Sequence, residues 1–190
     1  MEFQNIDTPQ KLLAFMSENI SYGFKDESGN IHSNPSSNDW KDYGNKYIVQ
    51  TGEEVLYTKV GTCWDQVELE RIWFEKKGYE FKTIFIWFEL NSEQNNPTHT
   101  FLLFQEKNKW YWFENAFEAY RGIHEFNSFK DALNFVIDKH SEYSVNSGFT
   151  KPEDKKFIEA YEYNKLSESI SANNYLRHAT NYKINKTKTI

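Results

Sequence analysis

Residues 61–90 read GTCWDQVELERIWFEKKGYEFKTIFIWFEL, and the fold turns on the change of period inside this stretch. Its first half is helical. Thr62 and Asp65 stand at capping-box spacing, with Thr62 as N-cap and Cys63 as the first helical residue. Val67, Leu69, Ile72, Trp73 and Phe74 follow, and Lys76-Lys77-Gly78 has the basic last turn and glycine stop of a helix end. From Phe81 the period is two. Phe81, Thr83, Phe85, Trp87 and Glu89 alternate with Lys82, Ile84, Ile86 and Phe88. Apolar and β-branched residues fall in both sets, as in a strand buried on both faces. A helix feeding a doubly buried strand predicts an α+β fold.

Working outward, residues 91–97 form a loop, Thr98–Gln105 a second strand, Glu106–Lys109 a tight turn and Trp110–Asn115 a third strand. The helix bearing Cys63 therefore packs on an antiparallel sheet built from about Glu80–Leu90, Thr98–Gln105 and Trp110–Asn115. Ser128 and Asp131 cap a helix over 128–139, with Phe129, Ala132, Leu133, Val136 and Ile137 inward. In the other direction, Thr8 and Pro9 open a first helix whose apolar face is Leu12, Leu13, Phe15, Met16 and Ile20. A turn is expected at 26–30 and a long polar loop over 34–45. Thr51 and Glu54 match a second capping box, followed by a short helix that Gly61 breaks. The composition weakens beyond His140. The domain is assigned to 1–140. Residues 141–190 are read as a linker and an appendage, helical over 155–166 and 169–178 and frayed after 181.

The 190 residues suit one domain. The 16 Phe, 12 Tyr and 6 Trp supply a core and exclude disorder over the whole length, although mean hydropathy is −0.81. A net charge of −6 and a pI of about 5.4 argue against a nucleic-acid partner held by bulk electrostatics. The single cysteine excludes an internal disulfide and a multi-cysteine zinc site, and fits a reducing compartment. The N-terminal residues lack a basic segment. The longest apolar run is Ile84–Phe88, far below the ~20 residues of a membrane span. A cytoplasmic protein without membrane association is expected.

Three residues stand out for chemistry. Cys63 opens a helix, where free N–H groups favour an anion and stabilise a thiolate. Asp65 and Glu68 oppose this by like-charge repulsion, so a base is still needed. His99 lies on the second strand and Glu114 on the third. If Glu106-Lys107 is the two-residue turn, His99 faces Glu114; if Lys107-Asn108 is, Glu114 faces Phe101, on the same side as His99. Either turn leaves His99 and Glu114 on one face, while Asn115 points away unless a bulge shifts the phase. A Cys–His–Glu relay follows, with His99 taking the thiol proton and Glu114 fixing the imidazole tautomer. His32, His124, His140 and His178 lack such company and read as surface or structural. For the oxyanion, the Cys63 N–H is a natural donor, with Gln50, Trp64 and Gln66 as further candidates.

Gly61-Thr62-Cys63-Trp64-Asp65-Gln66, Thr98-His99-Thr100-Phe101 and Trp110-Tyr111-Trp112-Phe113-Glu114-Asn115 together resemble the core of the transglutaminase-like superfamily, within the papain-like cysteine hydrolases. The likeness covers about Val55 to Ala116. Ile20-Ser21-Tyr22-Gly23-Phe24 also resembles the opening of bacterial members. The resemblance implies Cys63 as nucleophile and His99 as base. The family's usual Asp corresponds to Glu114, one methylene longer, and Asn115 is the alternative third member.

The expected function is cysteine-dependent acyl chemistry on a peptide, protein or small amide or ester. It passes through an acyl-enzyme resolved by water in a hydrolase or by an amine in a transferase. It needs no cofactor. Two rivals are an inactive transglutaminase-like binding module and a zinc enzyme ligated by Cys63, His99 and Glu114.

Overall fold

The computed structural model describes residues 5–36, 43–90 and 96–184. Along the chain run α1 (Pro9–Asn19), β1 (Gly23–Asp26), β2 (Ile31–Ser33), the single turn α2 (Tyr43–Lys46), β3 (Tyr47–Val49), α3 (Gly52–Thr58) and α4 (Cys63–Lys77). Then come β4 (Glu80–Phe88), β5 (Thr98–Glu106), β6 (Lys109–Glu114), β7 (Gly122–Phe126), α5 (Phe129–Asn146), β8 (Ile158–Glu162), β9 (Ile170–Ser171), α6 (Ala172–Ala179) and β10 (Tyr182–Lys183). The class is α+β with antiparallel sheets. The larger sheet has the order β10-β8-β4-β5-β6-β7, and the smaller one β2-β1-β3-β9.

The doubly apolar strands explain the layering. Phe85, Leu102, Phe104 and Phe113 point to the side of α1 and α4, where Leu12, Met16, Val67, Leu69 and Phe74 complete one core. Ile84, Ile86, Phe88, Phe101, Leu103 and Trp112 point the other way, against Ala132, Leu133, Val136 and Ile137 of α5. Each such side chain contributes roughly 1.5–3 kcal/mol by leaving water, so both layers are strongly held.

The caps start the helices. Thr8 accepts from the Lys11 N–H and Ser128 from the Asp131 N–H. At α4 the capping box is complete, and Gly78 ends the helix in the left-handed region at φ 73°. At α3 only half the box forms. Thr51 accepts from the Glu54 N–H, but the Glu54 carboxylate goes to the Ser169 hydroxyl instead of the Thr51 backbone. Lys59, at φ 59°, ends this helix. Gly61 serves close approach: a Cβ there would lie 2.7 Å from the Asp65 Cβ.

The structure selects between the two hairpin registers. Lys107 and Asn108 both have positive φ, 50° and 64°, as a two-residue primed turn requires. The ladder then pairs Glu106 with Lys109 and Leu102 with Phe113.

The region after His140 departs most from expectation. The 140/141 boundary falls inside α5, which runs on to Asn146. The expected helix over 155–166 is instead a 3-10 turn (Pro152–Phe157) and then β8. β8 pairs with β4 from Ile84–Glu162 to Phe88–Ile158 and lies inside the sheet, between β4 and β10. Its spacing also fits a helix; burial of Ile158 and Ala160 on one face and Tyr161 on the other makes it a strand. Residues 170–183 likewise dock, through β9 on β3 and Tyr175 of α6 in the first core. The expected turn at 26–30 is the tip of the β1–β2 hairpin. Residues 37–42 of the expected loop at 34–45 lie outside the described residues, and Tyr43–Lys46 is a helical turn; of the fraying expected over 181–190, Tyr182 and Lys183 instead pair with β8, and 185–190 lie outside the described residues.

Candidate active site

Three elements bring their ends together. Cys63 is the first residue of α4, His99 the second of β5 and Glu114 the last of β6. All three are buried, with exposures of 9%, 4% and 2%. His99 Nε2 and Glu114 Oε2 are 2.8 Å apart. The other carboxylate oxygen, Oε1, accepts from the Phe117 N–H at 2.7 Å, so Glu114 is held from two sides. His99 also hydrogen-bonds the Cys63 side chain, and Nδ1 is the nitrogen left for it. Burial works to lower the His99 pKa. The Glu114 charge and the hydrogen bonds to Cys63 and Glu114 overcome it and push the imidazole up to about 10.

The ring of His99 is boxed. Phe101 stacks on it at 5.8 Å between centroids and 19°, His140 at 5.7 Å and 22°, and Phe117 meets it edge-on at 5.5 Å. His140 comes from α5 and is itself 5% exposed. Burial, followed by the His99 charge, pushes its pKa down to about 3, so it is neutral. Its Nε2 is buried without a hydrogen-bond partner. His140 is thus neither a surface residue nor without company. The signal was its place three residues after Ile137 and four after Val136, on the inward stripe of its helix.

A cavity of about 590 Å³ opens on the pair. Cys63, His99 and His140 line it together with Tyr22, Phe117, Arg121 and Tyr143. Its size and its mixed aromatic and polar wall suit a small molecule or a peptide side chain. Arg121 is fixed by its Nε–H, which donates to the Asn115 carbonyl at 3.0 Å. Among the described residues it forms no ion pair, although Glu118 shares the wall.

Three N–H groups of the first turn of α4 are taken by Thr62. The Trp64 N–H goes to Thr62 Oγ1, and those of Asp65 and Gln66 go to the Thr62 carbonyl. None of these bonds uses the Cys63 N–H. The other candidates face elsewhere. Gln50 is fully buried, with its amide on the Val60 carbonyl and its Oε1 taken by Thr58. Gln66 donates to the Gly61 carbonyl at 2.8 Å and accepts from Asn115 at 2.7 Å. Trp64 donates to Thr98 Oγ1 and stacks on Tyr175 at 4.6 Å. These side chains brace the loop, helix and strand around Cys63 and do not line the cavity. Asn115 belongs with them: it bonds Gln66 and points away from His99, as its register requires.

Asp65 is wrapped rather than free. Tyr47, the Gln50 N–H, and the Thr62 N–H and hydroxyl all donate to it. Burial outweighs these bonds and pushes its pKa up to about 7. This weakens the repulsion it exerts on a thiolate. Burial, and next the Glu114 charge, also push the Glu70 pKa well above the usual carboxylate range. Glu68 is buried, beside Arg71, and accepts the Leu166 N–H at 3.2 Å. Among the described residues no group of three His, Cys, Asp or Glu is arranged to hold a metal ion. No helix there is long and apolar enough to cross a membrane. No protein-family model matches the chain, and no curated protein matches it.

Proposed function

We propose that the chain carries out cysteine-dependent acyl chemistry through Cys63, His99 and Glu114, on the pattern of the transglutaminase-like branch of the papain-like fold. One observation carries this reading: a buried imidazole held by a carboxylate at 2.8 Å, hydrogen-bonded to a thiol at a helix start, on the wall of a cavity. Each residue type is common alone. Their convergence at the ends of three elements is what nucleophilic catalysis needs.

The proton bookkeeping closes. His99 accepts the Cys63 proton, and the thiolate–imidazolium pair forms beside Glu114. The sulfur attacks the carbonyl carbon of an amide or ester, forming a C–S bond. The Cys63 N–H faces the developing oxyanion. The imidazolium gives its proton to the leaving amine or alkoxide as the C–N or C–O bond breaks. Water or an amine then attacks the thioester, its proton passes to His99, and the thiolate leaves. Water makes a hydrolase, an amine a transferase.

The test is the pH dependence of Cys63 alkylation by iodoacetamide, in wild type and in His99→Ala. The expected result is substantial reactivity near pH 6, where an ordinary thiol titrating near ~8.5 is almost inert, and its loss in His99→Ala. A wild-type profile like that of a free thiol, indifferent to His99, overturns the reading.

A further inference from the structure

Of the buried polar groups among the described residues that lie beside the chemistry and that the mechanism does not use, His140 alone stacks on His99. His140 stacks on His99, packs against Phe88 at 5.7 Å, donates to the Pro97 carbonyl, and keeps Nε2 buried and unpartnered. The Pro97 bond uses one ring nitrogen; the other is buried without a partner, which is a destabilising feature. Phe88, Phe101 and Phe117 surround the pair of imidazoles. A polar ring retained in such a place points to a use for its polarity.

We propose that His140 is a positioning residue for the catalytic imidazole: a neutral, polar ring stacked on His99 that fixes its plane and solvates its charged form opposite Cys63. The inference rests on the reading of His99 as the base. An imidazolium in a wall of pure hydrocarbon would lose most of its hydration, and a neutral imidazole in contact returns part of it. His140 does this only while uncharged, because a second cation at this distance would repel the first. Its burial keeps it so. Other titratable or charged groups also face the pair. They are Cys63 and Glu70 from α4, Glu114 from β6, Tyr22 from before β1, Tyr143 from α5, and Glu118 and Arg121 from the segment after β6. Cys63 and Glu114 act on His99 through hydrogen bonds at its edge, whereas His140 acts on its face.

The experiment compares iodoacetamide alkylation profiles and thermal melting of wild type, His140→Phe and His140→Gln. In His140→Phe the acid limb of the profile should move up by half to one pH unit. This is a loss of about threefold to tenfold in alkylation rate on that limb. The Tm should shift little, because the unpartnered nitrogen and the Pro97 bond are lost together. His140→Gln, which restores a polar group, should recover part of the rate. A rate that falls while Tm holds is what a merely structural residue would not produce. Profiles unchanged in both variants overturn the proposal, and so does a parallel fall of Tm and rate in both. An ordinary free-thiol profile in the wild type would overturn the underlying assignment of the base, and an activated wild type with unaltered variants would overturn only the role of His140.

Discussion

Glu114 holds two partners with its two oxygens, the His99 imidazole and the Phe117 N–H. Its charge therefore acts on the imidazole and on the cavity wall at once. Glu114→Gln keeps the shape and removes the charge, so it should lower alkylation of Cys63 near pH 6 by at least about tenfold, the size of one pKa unit in the imidazole. It also carries a stability consequence whose sign is fixed. The His99 pKa is about 10 in the fold against about 6.5 unfolded. The stabilisation is thus complete below pH 6.5 and is lost as the pH rises through 10. Urea midpoints at pH 6.5 and pH 10 should fall apart in wild type and draw together in Glu114→Gln. Equal differences in the two proteins would show that the pair contributes nothing to this dependence.

At the scale of elements, α4 presents Cys63 because Thr62 stops the helix one residue earlier. Thr62 Oγ1 takes the Trp64 N–H, and Asp65 closes the loop on the Thr62 N–H at 2.8 Å. Thr62→Ala should cost about 1 kcal/mol, the usual worth of such a cap, and should slow alkylation as the first turn frays. A lower urea midpoint with an unchanged alkylation rate would separate the cap from the chemistry. This element was legible in the residues because capping and period are local signals. So was the shared face of His99 and Glu114, since either turn gave the same parity. The turn itself needed the backbone, with Lys107 and Asn108 both left-handed. β8 was not legible. Ile158, Tyr161 and Leu166 fit a helical stripe as well as Ile158 and Ala160 fit a strand, and the open edge of β4 decides between them. β3 was missed because three residues, Tyr47–Val49, carry too little period to read. The roles of Gln50 and Gln66 were misjudged for a related reason: an amide near a cysteine in sequence says nothing about which carbonyl it will meet.

The whole molecule has its site on a sheet completed by its last third. A chain ended at residue 140 would lose the rest of α5, β8, β9, α6 and β10. It would uncover Phe85, Trp64 and the edge of β4. We expect it to show no cooperative urea transition and no protected amides in β4 by hydrogen exchange. A folded 1–140 fragment would restore the later residues to an appendage. The place of β8 has a further consequence in time. About 70 residues separate the end of β4 from the start of β8, and synthesis proceeds at ~5–20 residues per second. For roughly 4–14 s a nascent chain holds a long hydrophobic strand whose partner has not yet been made. During that interval β4 is an open template for any other strand nearby. The yield of the protein in a cell should thus depend on how well chaperones shield that one edge, and on translation speed between residues 88 and 158, more than on the final stability of the fold.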